Sequence, residues 1–219
     1  MNKIIVSLVL TFGLSGIAFA GGDASKGKEK AAACVACHGE GGNSMVTTFP
    51  KLAGQHEKYL LKQMQDIQCG ELSIDQQRAK KCAGRSIPTM TGQVSRMSDA
   101  DLSDIAAYFA TQTSSVAQAK PENLAKGEEI YRAGIRAKDV AACTACHSPT
   151  GNGNAPAGFP ALSGQHADYL AAQLRAFRAA ADGLPGRSND GDIMIMRDIA
   201  YRMSDSEIDA VANYISGLR

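Results

Sequence analysis

The sequence predicts an all-α protein built from two tandem copies of one helical unit. The block at residues 49–60 recurs at residues 159–170 with the shared pattern Phe-Pro-x-Leu-x-Gly-Gln-His-x-x-Tyr-Leu. Such a close repeat inside one chain indicates two joined copies of the same unit. After each block apolar residues recur at helical spacing, whereas no segment alternates convincingly at period two. The spaced residues are Tyr59, Leu60, Met64 and Ile67, and then Tyr169, Leu170, Leu174 and Phe177.

The N-terminal residues have the pattern of a secretory signal peptide. A basic start is followed by an apolar stretch at residues 4–12 and by Ala18-Phe19-Ala20, a small-x-small cleavage site. We therefore expect cleavage before Gly21 and export to the periplasm, with an uncleaved membrane anchor as the alternative. No later stretch has the roughly 18 apolar residues of a membrane span.

Chain length and the repeat together predict the domain boundaries. Residues 21–219 fit two domains of about a hundred residues better than one. Residues 113–123 contain Ser, Ala, Gln and Pro without apolar periodicity, which is typical of a linker. The predicted division is a signal peptide at 1–20, a first domain at 21–117, a linker at 118–123 and a second domain at 124–219.

Each copy contains one Cys-x-x-Cys-His motif. The motifs are Cys34, Cys37 and His38 in the first copy and Cys143, Cys146 and His147 in the second. Two thiols one helical turn apart can add to the two vinyl groups of a porphyrin, and the adjacent imidazole can bind its iron. The spacing therefore predicts two covalently bound haem c groups. A zinc site or a redox disulfide would use the thiols without explaining the His that follows them both times.

The sixth iron ligand has several candidates. Alignment of the repeats places Met90 opposite Met196, in loops, and Met194 opposite Pro88. These loop methionines are the preferred ligands, with Met97 and Met194 as the alternatives.

Met97 and Met203 also match in the repeat, but each precedes an N-capping Ser with an acidic residue three positions later. In that pattern the preceding apolar side chain packs on the fourth helical residue. We therefore interpret both as structural residues.

His56 and His166 are also matched by the repeat. They are the two His that remain outside the Cys-x-x-Cys-His motifs. Their position after Gly-Gln, at a helix start, suggests capping or surface hydrogen bonding. Bis-His ligation nevertheless stays open at this point. The choice matters because a thioether ligand favours reduced iron and raises the reduction potential.

The motifs together resemble the dihaem cytochromes c4. The similarity rests on the two Cys-x-x-Cys-His motifs, the repeated block, the Met90-Thr91-Gly92 segment and the segment at residues 189–197. It covers essentially the whole mature chain and implies two class I cytochrome c domains, each enclosing one haem. It also implies the axial pairs His38 with Met90 and His147 with Met196, and Pro carbonyls that accept the second imidazole N–H, for which Pro50 and Pro160 fit.

The two remaining cysteines, Cys69 and Cys82, lie in a first-domain segment that is longer than its counterpart. Neither is followed by His. In an oxidising compartment we expect a disulfide that staples this segment. Free thiols or a redox-active pair are the alternatives.

The preferred function is a non-enzymatic electron carrier in a respiratory chain. The resemblance implies a quinol–cytochrome c reductase-type donor and a terminal oxidase as acceptor. The alternatives are the cytochrome subunit of a sulfide-oxidising flavoprotein and a dihaem peroxidase, although a peroxidase needs an open iron position with acid–base groups beside it. With 23 basic and 22 acidic residues, nothing indicates nucleic-acid binding. Peripheral membrane association stays open.

Overall fold

The computed structural model describes residues 21–115 and 117–219. The predicted signal peptide lies outside the described residues. Ten helices follow one another along this part of the chain. They are α1 (Ala24–Lys30), α2 (Val35–His38), α3 (Glu57–Gly70), α4 (Ile74–Lys80), α5 (Asp99–Ala110), α6 (Leu124–Ala133), α7 (Thr144–His147), α8 (Ala167–Ala181), α9 (Ile195–Tyr201) and α10 (Asp205–Ser216). Short 3-10 turns connect several of them, and the described residues form only two isolated β-bridges. The all-α prediction is therefore confirmed.

The same helix packing occurs in both halves. Helix α1 packs on α5 and α3 also packs on α5, while α6 and α8 both pack on α10. Two matched glycines allow the closest crossings, since a Cβ on Gly27 would lie 1.9 Å from the carbonyl oxygen of Asp104. A Cβ on Gly127 would lie 2.1 Å from the carbonyl oxygen of Ala210. Only glycine fits these crossings, which bring the N-terminal helix of each domain against its C-terminal helix.

Each half has its own apolar core. In the second domain Ile130, Tyr131, Ile208 and Val211 are almost fully buried in one cluster. In the first domain the buried residues form two neighbouring clusters, one around Phe109 and one around Leu102. A domain of about a hundred residues buries a limited share of its surface, so we expect the predicted haem of each domain to add to its core.

The capping prediction for the C-terminal helices is confirmed. Ser98 starts α5 and Ser204 starts α10, each with a complete capping box whose partners are Asp101 and Glu207. Met203 is 4% exposed and shares a core cluster with Ile208. Met97 packs against the equivalent cluster in the first domain. Both methionines therefore have the structural role that the pattern predicted.

Extra residues make the two halves unequal. The longer first-domain segment contains helix α4, which the sequence analysis did not predict and which Ser73 and Gln76 cap as a box. The second domain has nine more residues between Gly127 and Cys143 than the first has between Gly27 and Cys34. This second-domain insertion forms a turn closed by the bridge between Ile135 and Val140, and Val140 is 4% exposed in the core. Among the described residues, no helix is long and apolar enough to cross a membrane.

Candidate haem sites and the interface between them

Each Cys-x-x-Cys-His motif lies on its own helical turn, which ends at the His of that motif. Helix α2 ends at His38, and Gly39 turns the chain away with φ 76°. Helix α7 ends at His147, and Ser148 turns with φ 67°. The first thiol of each motif belongs to a residue that packs against the core of its own domain. The fold thus fixes both sets of side chains by the same local geometry.

The two motif histidines are held in one orientation. Nδ1 of His38 lies 2.9 Å from the carbonyl oxygen of Pro50, and Nδ1 of His147 lies 3.0 Å from that of Pro160. A carbonyl oxygen accepts only, so Nδ1–H donates and Nε2 keeps its lone pair. Burial lowers the pKa of both imidazoles, while the hydrogen bond to Pro opposes this effect. A neutral imidazole with a free Nε2 lone pair is the form that binds a metal.

The motif thiols are free, so neither motif forms a redox disulfide. Burial raises the pKa of the Cys34 thiol, and it raises the pKa of Cys143 to about 11. No group of three or more His, Cys, Asp or Glu side chains in the described residues is arranged to hold a metal ion. Paired free thiols beside an oriented imidazole fit covalent haem attachment, with the His supplying one iron ligand.

The preferred methionines lie in different local structures. Met90 ends the 3-10 turn Pro88–Met90 and packs, partly buried, against the first-domain cluster that contains Ile67 and Leu102. Met196 is not in a loop as predicted, because it is the second residue of helix α9. Met194 precedes this helix in a left-handed conformation (φ 50°) and is 48% exposed. The missed helix is only seven residues long, which is too short for a clear periodicity in the sequence.

The two other histidines do not cap their helices. His56 and His166 occupy the N-cap positions of α3 and α8 without a side-chain capping bond. The Nε2 atom of His56 instead lies 2.8 Å from the carbonyl oxygen of Asn152, and that of His166 lies 2.9 Å from the carbonyl oxygen of Ser44. Each His therefore makes its hydrogen bond to the other domain.

Two glutamines also make hydrogen bonds across the interface, each to the backbone of one residue in the other domain. Gln55 accepts from the N–H of Ala161 and donates to its carbonyl oxygen, at 3.0 and 2.8 Å. Gln165 accepts from the N–H of Lys51 and donates to its carbonyl oxygen, both at 2.9 Å. The two domains thus meet in a pseudo-twofold arrangement, as in an isologous dimer interface.

A buried polar cluster continues the symmetry. Arg85 donates to Gln63 of its own domain and to Gln173 and Tyr169 of the other. Arg187 in turn donates to Gln173 of its own domain. It also donates to Gln63 and Tyr59 of the other. Both arginines are less than 10% exposed, and a network this closely satisfied fixes one relative orientation of the domains.

Hydrogen bonds also attach the segment that connects the domains to both of them. Asn43 accepts from the N–H of Ser115 and donates to the carbonyl oxygen of Thr113. Farther along, Asn213 of α10 makes hydrogen bonds with the backbone of Lys120 and Glu122. Both ends of the connection are therefore attached to the domains that they join.

Cys69 and Cys82 form a disulfide with their Cα atoms 6.2 Å apart. Cys69 is 4% exposed near the end of α3, and Cys82 follows α4. Three residues later, the N–H of Arg85 donates to the carbonyl oxygen of Asp66 in α3. The disulfide thus holds the chain against α3 three residues before Arg85, whose side chain lies in the interface.

The interface between the domains is not predicted above, although the repeat contains a signal for it. The residues Gln55, His56, Tyr59 and Gln63 recur as Gln165, His166, Tyr169 and Gln173. Polar side chains repeated identically at a helix start and along its first turns are not needed for either core, and here they contact the other domain. This pairing depends on tertiary geometry, which apolar periodicity does not report.

Comparison with known proteins gives consistent matches. A family model described as cytochrome c matches residues 24–113 and again residues 124–219. Cytochrome c4 of Azotobacter vinelandii is 52% identical over 218 residues, covering 100% of both chains. Cytochrome c4 of Pseudomonas aeruginosa is 51% identical with the same coverage. The crystal structure of reduced recombinant cytochrome c4 from Pseudomonas stutzeri matches with a TM-score of 0.82 and 49% identity, over 90% of this chain and 100% of that one.

Proposed function

We propose, since the chain belongs to the dihaem cytochrome c4 family of electron-transfer proteins, that it carries electrons in a periplasmic respiratory chain. Members of this family are not enzymes, and the two cytochrome c domains carry two covalent haem c groups. Each haem iron supplies one-electron chemistry by cycling between Fe(III) and Fe(II). The proposed donor is a quinol–cytochrome c reductase-type complex, and the proposed acceptor is a terminal oxidase.

The proposed attachment sites are the four motif cysteines. Cys34 and Cys37 hold the first haem, and Cys143 and Cys146 hold the second. His38 and His147 are the proximal ligands. The hydrogen bonds from their Nδ1 atoms to Pro50 and Pro160 are the observation that carries this proposal, because they orient Nε2 for iron in both domains.

Met90 and Met196 are the proposed sixth ligands. Support comes from their alignment in the repeat and from the structural roles of Met97 and Met203 in the cores. His56 and His166, the rival ligands, each hold a carbonyl oxygen of the other domain. His/Met ligation favours reduced iron and suits the high-potential part of a respiratory chain.

The proposed value of two domains is internal electron transfer. A connected second haem domain stays at high effective concentration relative to the first. The hydrogen-bonded interface supports this by fixing the two domains relative to each other. Helix α4 with its disulfide in the first domain and the inserted turn in the second make the two outer faces unequal. We propose that the haems differ in potential and that each partner prefers one domain.

Oxidation of the reduced holoprotein by membrane fragments tests the proposed acceptor. The reduced holoprotein is mixed with membrane fragments that contain an active terminal oxidase, and haem absorbance and oxygen consumption are followed together. The proposal expects catalytic oxidation with matching oxygen uptake, which an oxidase inhibitor abolishes. Oxidation that needs hydrogen peroxide, with the oxidase inhibited, would support the peroxidase alternative. Stable copurification with a flavoprotein from native periplasm would instead support the flavoprotein-subunit alternative.

A further inference from the structure

Two hydrogen bonds connect each domain to the loop that follows the haem motif of the other. His166 of the second domain donates from Nε2 to the carbonyl oxygen of Ser44, at 2.9 Å. His56 of the first domain donates from Nε2 to the carbonyl oxygen of Asn152, at 2.8 Å. Because a carbonyl can only accept, both imidazoles carry their proton on Nε2 in these contacts.

The first loop transmits the contact directly to a haem motif. Ser44 is 2% exposed, and its Oγ lies 3.1 Å from the carbonyl oxygen of Cys37. Cys37 immediately precedes His38. Ser44 therefore connects His166 of one domain, through one hydrogen bond at its carbonyl oxygen and one at its Oγ, to the peptide next to the proximal histidine of the other.

The second loop makes an equivalent connection through its backbone. The N–H of Asn152 donates to Ser148 Oγ at 3.0 Å. The next residue, Gly153, donates its N–H to the carbonyl oxygen of His147 at 2.9 Å. His56 thus holds a loop that hydrogen-bonds to the backbone carbonyl of the proximal histidine and to the side chain of the residue after it.

We propose that His56 and His166 are positioning residues, each of which sets the orientation of the proximal histidine in the opposite domain. The inference rests on the assignment of His38 and His147 as iron ligands in the proposed function. Partners outside the ligand shell fix the ring orientation of a ligating histidine and tune the metal. The electronic structure of each haem therefore depends on one side chain of the neighbouring domain.

Proton NMR of the oxidised holoprotein tests this crossed relationship. The haem methyl signals of an oxidised haem respond to the orientation of its axial imidazole. His166→Ala is expected to shift the methyl signals of the first-domain haem and to leave those of the second-domain haem in place. His56→Ala is expected to do the reverse.

Conservative variants separate positioning from packing. A glutamine amide nitrogen can donate at a reach similar to that of Nε2, so His166→Gln is expected to restore the wild-type methyl signals of the first haem. The asparagine amide is shorter, so His166→Asn is expected to keep the shift of the alanine variant. These two amide variants also test the proposal if the alanine variant does not fold.

The crossed pattern makes the outcomes decisive. If His166→Ala shifts mainly the haem of its own domain, shifts both haems equally or shifts neither, the proposal is overturned. An error in the axial ligands themselves would appear separately, as a wild-type spectrum without two His-ligated low-spin haems. Failure to react with an oxidase would leave the NMR result unaffected, so the two proposals fail independently.

Discussion

Gln55 and Gln165 make the same pair of hydrogen bonds in opposite directions across the domain interface. Each side-chain amide binds both backbone polar groups of one residue in the other domain, Ala161 for Gln55 and Lys51 for Gln165. Each side-chain amide thus pairs with the backbone of the other domain as a second backbone segment would. Because both glutamines lie directly before helices α3 and α8, these contacts fix the two helix starts relative to each other.

Removal of one glutamine should weaken the interface measurably. Gln165→Ala leaves the N–H and the carbonyl oxygen of Lys51 without their partners, and unsatisfied buried polar groups cost about 1–3 kcal/mol. We expect the free energy of unfolding of the holoprotein to fall by about that amount in guanidinium titrations. Gln118→Ala is the control, since Gln118 is exposed and its side chain makes no hydrogen bond within the described residues. Equal stability of the two variants would contradict the interface role.

The disulfide should stabilise the first domain. Cys69 and Cys82 are 13 positions apart in the chain, and closing a loop of that size is worth about 2–3 kcal/mol. We expect the double variant Cys69→Ser, Cys82→Ser to lose about that much stability and to perturb the first haem more than the second. Mass spectrometry of alkylated, non-reduced wild-type protein should find both thiols blocked. Two alkylated thiols at these positions would refute the disulfide.

An ion pair between Lys138 and Glu207 joins the second-domain insertion to α10. We expect it to make the stability of the second domain sensitive to acid. Burial alone would raise the pKa of Glu207, but hydrogen bonds from Lys138 and Ser204 outweigh it and lower the pKa to about 2. The carboxylate therefore contributes stability that is complete above about pH 4.5 and is lost as the pH falls toward 2.

Substitution of Glu207 isolates this contribution. Glu207→Gln keeps an amide that can complete the capping box but loses the ion pair with Lys138. At neutral pH we expect a loss of about 1 kcal/mol or less, because Lys138 is 40% exposed. Unfolding curves from pH 7 to pH 2 should converge for variant and wild type. A constant difference across this range would show that the carboxylate charge is not involved.

Replacement of each proposed methionine ligand should act on one haem. Met90→Ala should lower the potential of the first haem, by a substantial part of the roughly 0.8 V that axial ligands span. Met196→Ala should do the same for the second. The Met–Fe(III) charge-transfer absorption should fall by half in each variant. Met97→Leu and Met194→Leu are the matched controls, and a loss of the absorption in either of them would reassign that ligand.

The sequence was sufficient to predict those elements whose structure is determined by a local pattern of residues. The Ser-x-x-acidic patterns at Ser98 and Ser204 predicted both capping boxes, and the apolar spacing predicted α3 and α8. Helix α9 was missed because its seven residues span only two turns, so Met196 was wrongly placed in a loop.

The role of His56 and His166 could not be predicted for a different reason. The capping interpretation was reasonable for a residue at a helix start, and both histidines do occupy the N-cap position. Their acceptors, however, are carbonyl oxygens 96 and 122 residues away in the chain. Only the docking of the two domains brings these atoms together.

A spectroscopic redox titration tests the central claim most directly. The account predicts two low-spin components with His/Met ligation, both at positive potential and separated from each other, in the holoprotein at neutral pH. Each component should account for one of the two haems. A high-spin component or a bis-His component would contradict the account of a dihaem electron carrier with two six-coordinate His/Met irons.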